Sequence, residues 1–87
     1  MNVLPKTALV TGGATGIGLA SAHAFSKAGY NVVLTDLEQK AAQSAADRIK
    51  GPTLATKLDV CDQTSINVAF KEVERVFGKV DVLHVPD

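Results

Sequence analysis

One cysteine in 87 residues leaves Cys61 without a partner for an internal disulfide, and no Cys/His cluster has the spacing of a metal site. No apolar run is long enough to span a bilayer, and no run of basic residues is present. Nine acidic and nine basic side chains balance to a formal net charge of zero. Neither nucleic acid nor an acidic membrane surface therefore gains attraction from the net charge, and neither is expected as a partner. The only tyrosine, Tyr30, has no lysine four residues later. These absences exclude a disulfide-stapled secreted scaffold, a membrane span and a basic nucleic-acid binder. A reducing, cytoplasmic setting is expected. The first apolar strand follows Met1 within a few residues, leaving no room for a signal peptide, so Met1 is expected to be the true N-terminus.

At this length the chain is one domain at most, and its core is expected to be marginal, because small chains bury a smaller share of their surface. Thr7-Ala8-Leu9-Val10 reads as a strand covered on both faces, an apolar run between Pro5 and a glycine-rich turn. From Ile17 to Ala28, residues Ile17, Ala20, Ala24, Phe25 and Ala28 recur at helical spacing, and Gly29 follows as a stop. Asn31 to Asp36 is a second strand. Ala42, Ala45, Ala46 and Ile49 form a small-residue stripe on a second helix, which Gly51-Pro52 terminates. A third strand is expected from Thr53 to Leu58, then a third helix capped by Asp62 or Thr64. Its stripe is Ile66, Ala69, Phe70, Val73, Val76 and Phe77. Gly78 ends it, and a fourth strand runs from Val80 to Val85. Strict alternation with short connections predicts an α/β fold, a Rossmann-type parallel sheet with βαβαβαβ connectivity and right-handed crossovers.

Thr11-Gly12-Gly13-Ala14-Thr15-Gly16-Ile17-Gly18 lies where the first strand turns into the first helix. Such a turn presents free backbone N–H groups and the positive end of a helix dipole, which suits a pyrophosphate. Gly12 makes the tight turn, while Gly16 and Gly18 remove Cβ atoms that would block close approach of ligand or helix. No Lys-Ser/Thr pair follows the last of these glycines, which argues against a Walker-type loop. Asp36 stands eighteen positions after Gly18, near the interval at which an acid meets the adenosine ribose. Its charge favours NAD over NADP. Alternatively, it caps the second helix. His23 is expected to face solvent, Cys61 to be a small buried or half-buried filler, and Asp81 to be a polar strand end.

The spacing Thr-Gly-x-x-x-Gly-x-Gly, with Asp36 ending the second strand and Asp59-Val60 following the third, resembles the short-chain dehydrogenase/reductase family over nearly the whole chain. The resemblance implies strand order 3-2-1-4, with the first two helices on one face and the third on the other. It also implies that Thr15 and Ile17 line the pyrophosphate and nearby ribose, that Leu37 flanks the adenine, that Asp59 takes its exocyclic amine, and that Val60 packs beside it. Gly12, Gly16, Gly18 and Asp36 complete the expected NAD site, and residues 1–87 read as part of an NAD(P)-binding domain.

After Leu83 the resemblance breaks. Val85 and Pro86 occupy two asparagine positions of the family's Asn-Asn-Ala-Gly motif, and Asp87 that of its alanine. The family's catalytic serine and Tyr-x-x-x-Lys have no counterpart here, so no catalytic residue is assigned and these residues alone are expected to be inactive. A fold truncated after its fourth strand by a frameshift, splice or premature stop is expected, and downstream nucleotides lacking any Tyr-x-x-x-Lys would count against it. Two other readings remain open. In one, a shortened isoform pairs with itself or with full-length subunits through the exposed fourth strand. In the other, the chain is a weak adenine-nucleotide module.

Overall fold

A computed structural model describes residues 4–86; the expectations on Met1 and Asp87 lie outside them. Strands and helices alternate as β1 (Thr7–Val10), α1 (Gly16–Lys27), β2 (Asn31–Asp36), α2 (Gln39–Ala46), β3 (Thr53–Lys57), α3 (Gln63–Phe77) and β4 (Val82–His84). All strand pairs are parallel, in the order β3-β2-β1-β4. This is the Rossmann-like α/β arrangement the alternation predicted.

β1 and β2 are continuous apolar runs because both sheet faces are covered. On one face Val10, Val32 and Leu34 pack with Ala22 of α1 and Ala42 and Ala45 of α2. On the other, Leu9 and Val33 pack with Ala69 and Val73 of α3. The alanine stripe of α2 is buried as expected, but the helix ends at Ala46, five residues before Gly51. Ile49 is still buried beyond that end.

The face of α1 differs from the expected stripe. Ile17, Ala20, Ala24 and Ala28 are exposed, Phe25 is half-buried, and Gly18 and Ala22 turn inward. The helix approaches the β1 turn so closely that only its smallest side chains fit at the contact. From Gly16 to Phe25 every residue but His23 is small or apolar, so hydrophobic periodicity does not distinguish the faces. The stop at Gly29 is a Schellman motif: Gly29 N–H donates to Ser26 O and Tyr30 N–H to Phe25 O, each at 3.0 Å. The Phe25 and Tyr30 rings pack edge-on at 5.1 Å, supplying the apolar contact that accompanies this motif.

Asp62, rather than Thr64, caps α3; its Oδ1 accepts the N–H of Thr64 (2.9 Å) and of Ser65 (3.4 Å). The α3 stripe is inward except Val76, which is exposed. β4 spans three residues where a strand from Val80 to Val85 was expected. Val80 leaves the strand to pack on the α3 side.

Asp81, just before β4, clamps the start of β1. Its Oδ2 accepts the Thr7 N–H at 2.8 Å, and its own N–H donates to Thr7 O at 2.8 Å. That bond, then the Lys79 ammonium 3.3 Å from Oδ1 and the charge of Lys6, hold the Asp81 carboxyl below its ordinary value of 3.8 against a smaller opposing effect of burial. A depressed folded-state pKa contributes stability above the unfolded value and loses it as pH falls through the folded one. Asp81→Asn is therefore expected to destabilise the chain at neutral pH, and its deficit against the parent should shrink in acid below the ordinary carboxylate range. Urea midpoints measured across that interval check this; a deficit independent of pH would refute it.

Candidate functional site

The turn after β1 is strapped to the strands on either side. Thr11 N–H donates to His84 O of β4 (3.0 Å), and Gly13 N–H donates to Thr35 O of β2 (2.8 Å). Ala14 N–H donates to Asp36 Oδ2 (3.2 Å), and the buried Thr35 hydroxyl donates to Val10 O (2.8 Å). The turn sits where the strand order reverses, between β2 and β4, at the carboxyl ends of the strands. Open α/β sheets bind ligands in that crevice.

The glycines divide into two kinds. Gly12 and Gly16 have φ of +58° and +59°, and a Cβ on either would meet nothing within 4 Å. Their role is conformational. Gly16 was expected to make room for close approach of ligand or helix; no protein atom lies near its missing Cβ, so the helix needs no such room there. At Gly18 an added Cβ would lie 2.1 Å from Gly12 O, so this glycine lets α1 press against the turn. Thr15 is the extended N-cap of α1, and its side chain makes no capping hydrogen bond.

A cleft of about 340 Å³ opens beside the turn. Gly12, Asp36, Leu37, Asp59 and Val60, all expected from sequence, line it. Thr15, Gly16 and Ile17 stand exposed at the first turn of α1, outside that lining, and Gly18 is buried beneath. Leu37 and Val60 are each 60% exposed, leaving apolar surface that a flat ring would cover.

Asp36 does not cap α2. Glu38 holds the N-cap position, and Asp36 Oδ1 only receives the Glu38 N–H at a long 3.4 Å. Asp59 Oδ1 accepts the Cys61 N–H (2.9 Å), and Asp59 N–H donates to Ser65 Oγ (2.9 Å). Together these bonds fix the loop that carries both Asp59 and Val60.

Thr11, Leu58, Cys61 and Val85 also line the cleft and were not named as site residues. Thr11 opens the glycine pattern and was within reach of a sequence reading. Leu58 read there as a strand residue, and Val85 as a strand residue at an asparagine position of the family motif. Cys61 is exposed on the cleft, correcting the expectation of a buried or half-buried filler; the Asp59 carboxylate holds its N–H in the loop. His23 is exposed, as expected. Among the described residues no group of His, Cys, Asp and Glu is placed to hold a metal, and no helix is long and apolar enough to cross a membrane.

The short chain dehydrogenase family model matches residues 6–85. The chain is 40% identical over 83 residues to a galactitol 2-dehydrogenase of Agrobacterium fabrum, covering 95% of this chain and 32% of that protein. It is 38% identical over 82 residues to an NAD-dependent glycerol dehydrogenase of Listeria innocua, covering 94% and 32%. Among solved structures, a 3-ketoacyl-(acyl-carrier-protein) reductase from Brucella melitensis complexed with NADH superposes with a TM-score of 0.86 at 33% identity, over 94% of this chain and 34% of that one. A menthone neomenthol reductase from Mentha piperita shares the fold with a TM-score of 0.90 at 24% identity, over 98% and 32%. The chain thus spans about a third of the length of the relatives it matches. With its glycine turn, switch-point cleft and strand order agreeing with a match over residues 6–85, this chain belongs to the short chain dehydrogenase family.

Proposed function

We propose that residues 1–87 form part of an NAD(P)-binding domain and hold the adenosine side of NAD in the cleft beside the glycine turn. The observation that carries this reading is the Asp36 carboxylate. It lies at the end of β2, on the lining of the cleft, and among the described residues only two of its hydrogen-bonding directions are taken, by Ala14 N–H and Glu38 N–H. A carboxylate accepts about four hydrogen bonds, so capacity remains for the two hydroxyls of a ribose. A 2′-phosphate would instead meet a like charge. Asp59 and Val60 would receive the adenine, with Leu37 flanking it. Gly12, Thr15, Gly16 and Ile17 would face the pyrophosphate at the start of α1, and Gly18 supports them from beneath. The single thiol suits a reducing cytoplasm.

Titration calorimetry on the purified chain tests the reading. Weak binding of NAD is expected, with NADP weaker by about tenfold, the equivalent of ~1.4 kcal/mol. Asp36→Asn keeps one acceptor but removes the charge, and should narrow the preference to within about threefold. Tighter binding of NADP by the parent chain would sink the role given to Asp36. Labelling of Cys61 by a thiol reagent gives an independent check, because a bound nucleotide should slow it.

Bound NAD would supply the hydride acceptor for oxidising an alcohol, the chemistry we propose for a longer protein containing this domain. These residues hold no Tyr-x-x-x-Lys to exchange a proton with substrate, and no turnover is expected of them alone. Self-association along β4 is also proposed. This strand is one of the two sheet edges, and Leu83 and the adjacent Val85 are exposed there. Light scattering across a concentration series, showing mass rising above the monomer, would support it; a constant monomer would not.

A further inference from the structure

A second cavity, of about 600 Å³, opens where the end of α1 meets the α2–β3 loop. It is lined by His23, Ser26, Lys27, Arg48, Lys50 and Gly51. Three of these six residues carry positive charge, and no carboxylate lines the space. Among the described residues the ion pairs are Glu72–Arg75 and Lys79–Asp81, so Lys27, Arg48 and Lys50 are not neutralised. The acid adjacent to Arg48 in sequence, Asp47, is engaged by the Gln43 amide, with Gln43 Nε2 donating to Asp47 Oδ1 at 2.9 Å.

Helix dipoles explain part of this cluster. Lys27 lies in the last turn of α1, and Arg48 just past the end of α2, each near a negative dipole end. Lys50 stands beyond either helix, and His23 sits a turn inside α1, so neither is accounted for that way. What remains is convergence: residues from two segments some twenty positions apart turn unpaired cations into one concave space. Uncompensated like charges repel, and an anion entering the cavity would relieve that repulsion. It would also accept charge-assisted hydrogen bonds from the Arg48 guanidinium and the two ammonium groups. The volume lies within the range of small-molecule pockets and is large for a single phosphate.

We propose that this cavity is a binding site for a small anion carrying two or more phosphate groups, separate from the nucleotide cleft. α1 has 12 residues, so its axis puts about 18 Å between the glycine turn at one end and Lys27 at the other. The two sites therefore do not overlap.

Backbone-amide NMR of the labelled chain, titrated with inorganic tripolyphosphate, tests the proposal. Saturable shifts are expected at Ser26, Lys27, Arg48, Lys50 and Gly51. The triple change Lys27→Gln, Arg48→Gln and Lys50→Gln should weaken binding at least tenfold, with the far-ultraviolet circular dichroism unchanged. Lys50→Gln alone, at an exposed position, should weaken it about threefold, since charge-assisted contacts contribute separately. Saturating NADH should leave the tripolyphosphate affinity unaltered, and a failure of NADH to bind would not touch these shifts. Shifts confined to residues 11–18, affinity unchanged in the triple variant, or absence of saturation would each overturn the site. Tighter binding of a DNA duplex through the same residues would also overturn it, marking a nucleic-acid surface instead.

Discussion

Gly18→Ala is expected to destabilise the chain by about 3 kcal/mol or more and to abolish nucleotide binding with it. The added Cβ would lie 2.1 Å from Gly12 O and 2.8 Å from Gly12 C, and both obstacles are backbone. A flexible side chain could swing aside, but here the turn or the helix must move. Overpacking of a well-packed site costs roughly 1–3 kcal/mol, occasionally more, and an unyielding neighbour places this change at the upper end. A chain of this size has a total stability of only about 4–13 kcal/mol at typical values per residue. The expected fall in Tm is therefore at least ~12 °C, using about 4–8 °C per kcal/mol for small domains. Gly16→Ala provides the contrast. Its Cβ would meet nothing within 4 Å, and the cost is that of a left-handed residue at φ +59°, about 1–2 kcal/mol. Urea unfolding of both variants, with NAD titration of whichever remains folded, measures the order. Equal losses at the two positions would show that close approach of α1 to the turn is not what Gly18 provides.

Leu34→Ala should be nearly as damaging alone, yet partly rescued by a change next to the turn. Leu34 is fully buried among Val10, Ala14, Val32 and the alanines of α2. Truncating a buried leucine costs about 2–5 kcal/mol, from lost transfer free energy and the cavity left behind. Gly13→Ala is expected to be unfavourable in the parent chain because its Cβ would meet Leu34 Cγ at 2.8 Å and Cδ2 at 3.2 Å. With Leu34 reduced to alanine those atoms are gone, and the new methyl group fills part of the vacated space. Gly13 does not adopt a positive φ, so no backbone strain offsets the gain. The double variant should therefore be more stable than the sum of single losses by about 1–2 kcal/mol, within the usual coupling of residues in contact. Strict additivity in urea midpoints at constant m-value would mean that the turn and the β2 core do not share this space.

Much of the fold could be read along the chain because its signals are local. Continuous apolar runs at Thr7–Val10 and Asn31–Asp36 correspond to strands covered on both faces, and Asp62 caps α3 through amides two and three residues on. Asp36 and Asp59-Val60 could be placed at strand ends, and both line the cleft. Errors arose where local signals were degenerate or a distant contact decided. The inward face of α1 depends on where Gly18 meets Gly12 O, and a helix with small or apolar residues on every side offers no clear periodicity to reveal it. Cys61 looked like a small apolar filler, yet the Asp59 carboxylate grips its N–H in a loop that leaves it exposed on the cleft.

The order and kind of the elements, the glycine turn between β1 and α1, the acid ending β2 and the acid following β3 were all legible along the chain. Each of these depends on residues close together in the chain. Only the tertiary structure separated the conformational need at Gly16 from the steric need at Gly18. It alone tied the Asp36 carboxylate to Ala14 N–H, and it alone gathered Lys27, Arg48 and Lys50 around one cavity in a chain whose net charge is zero. The physical reason is common to all three. Spacing along a chain defines which face of an element a residue occupies, whereas close approach and charge clustering depend on distances set only when the helices pack onto the sheet.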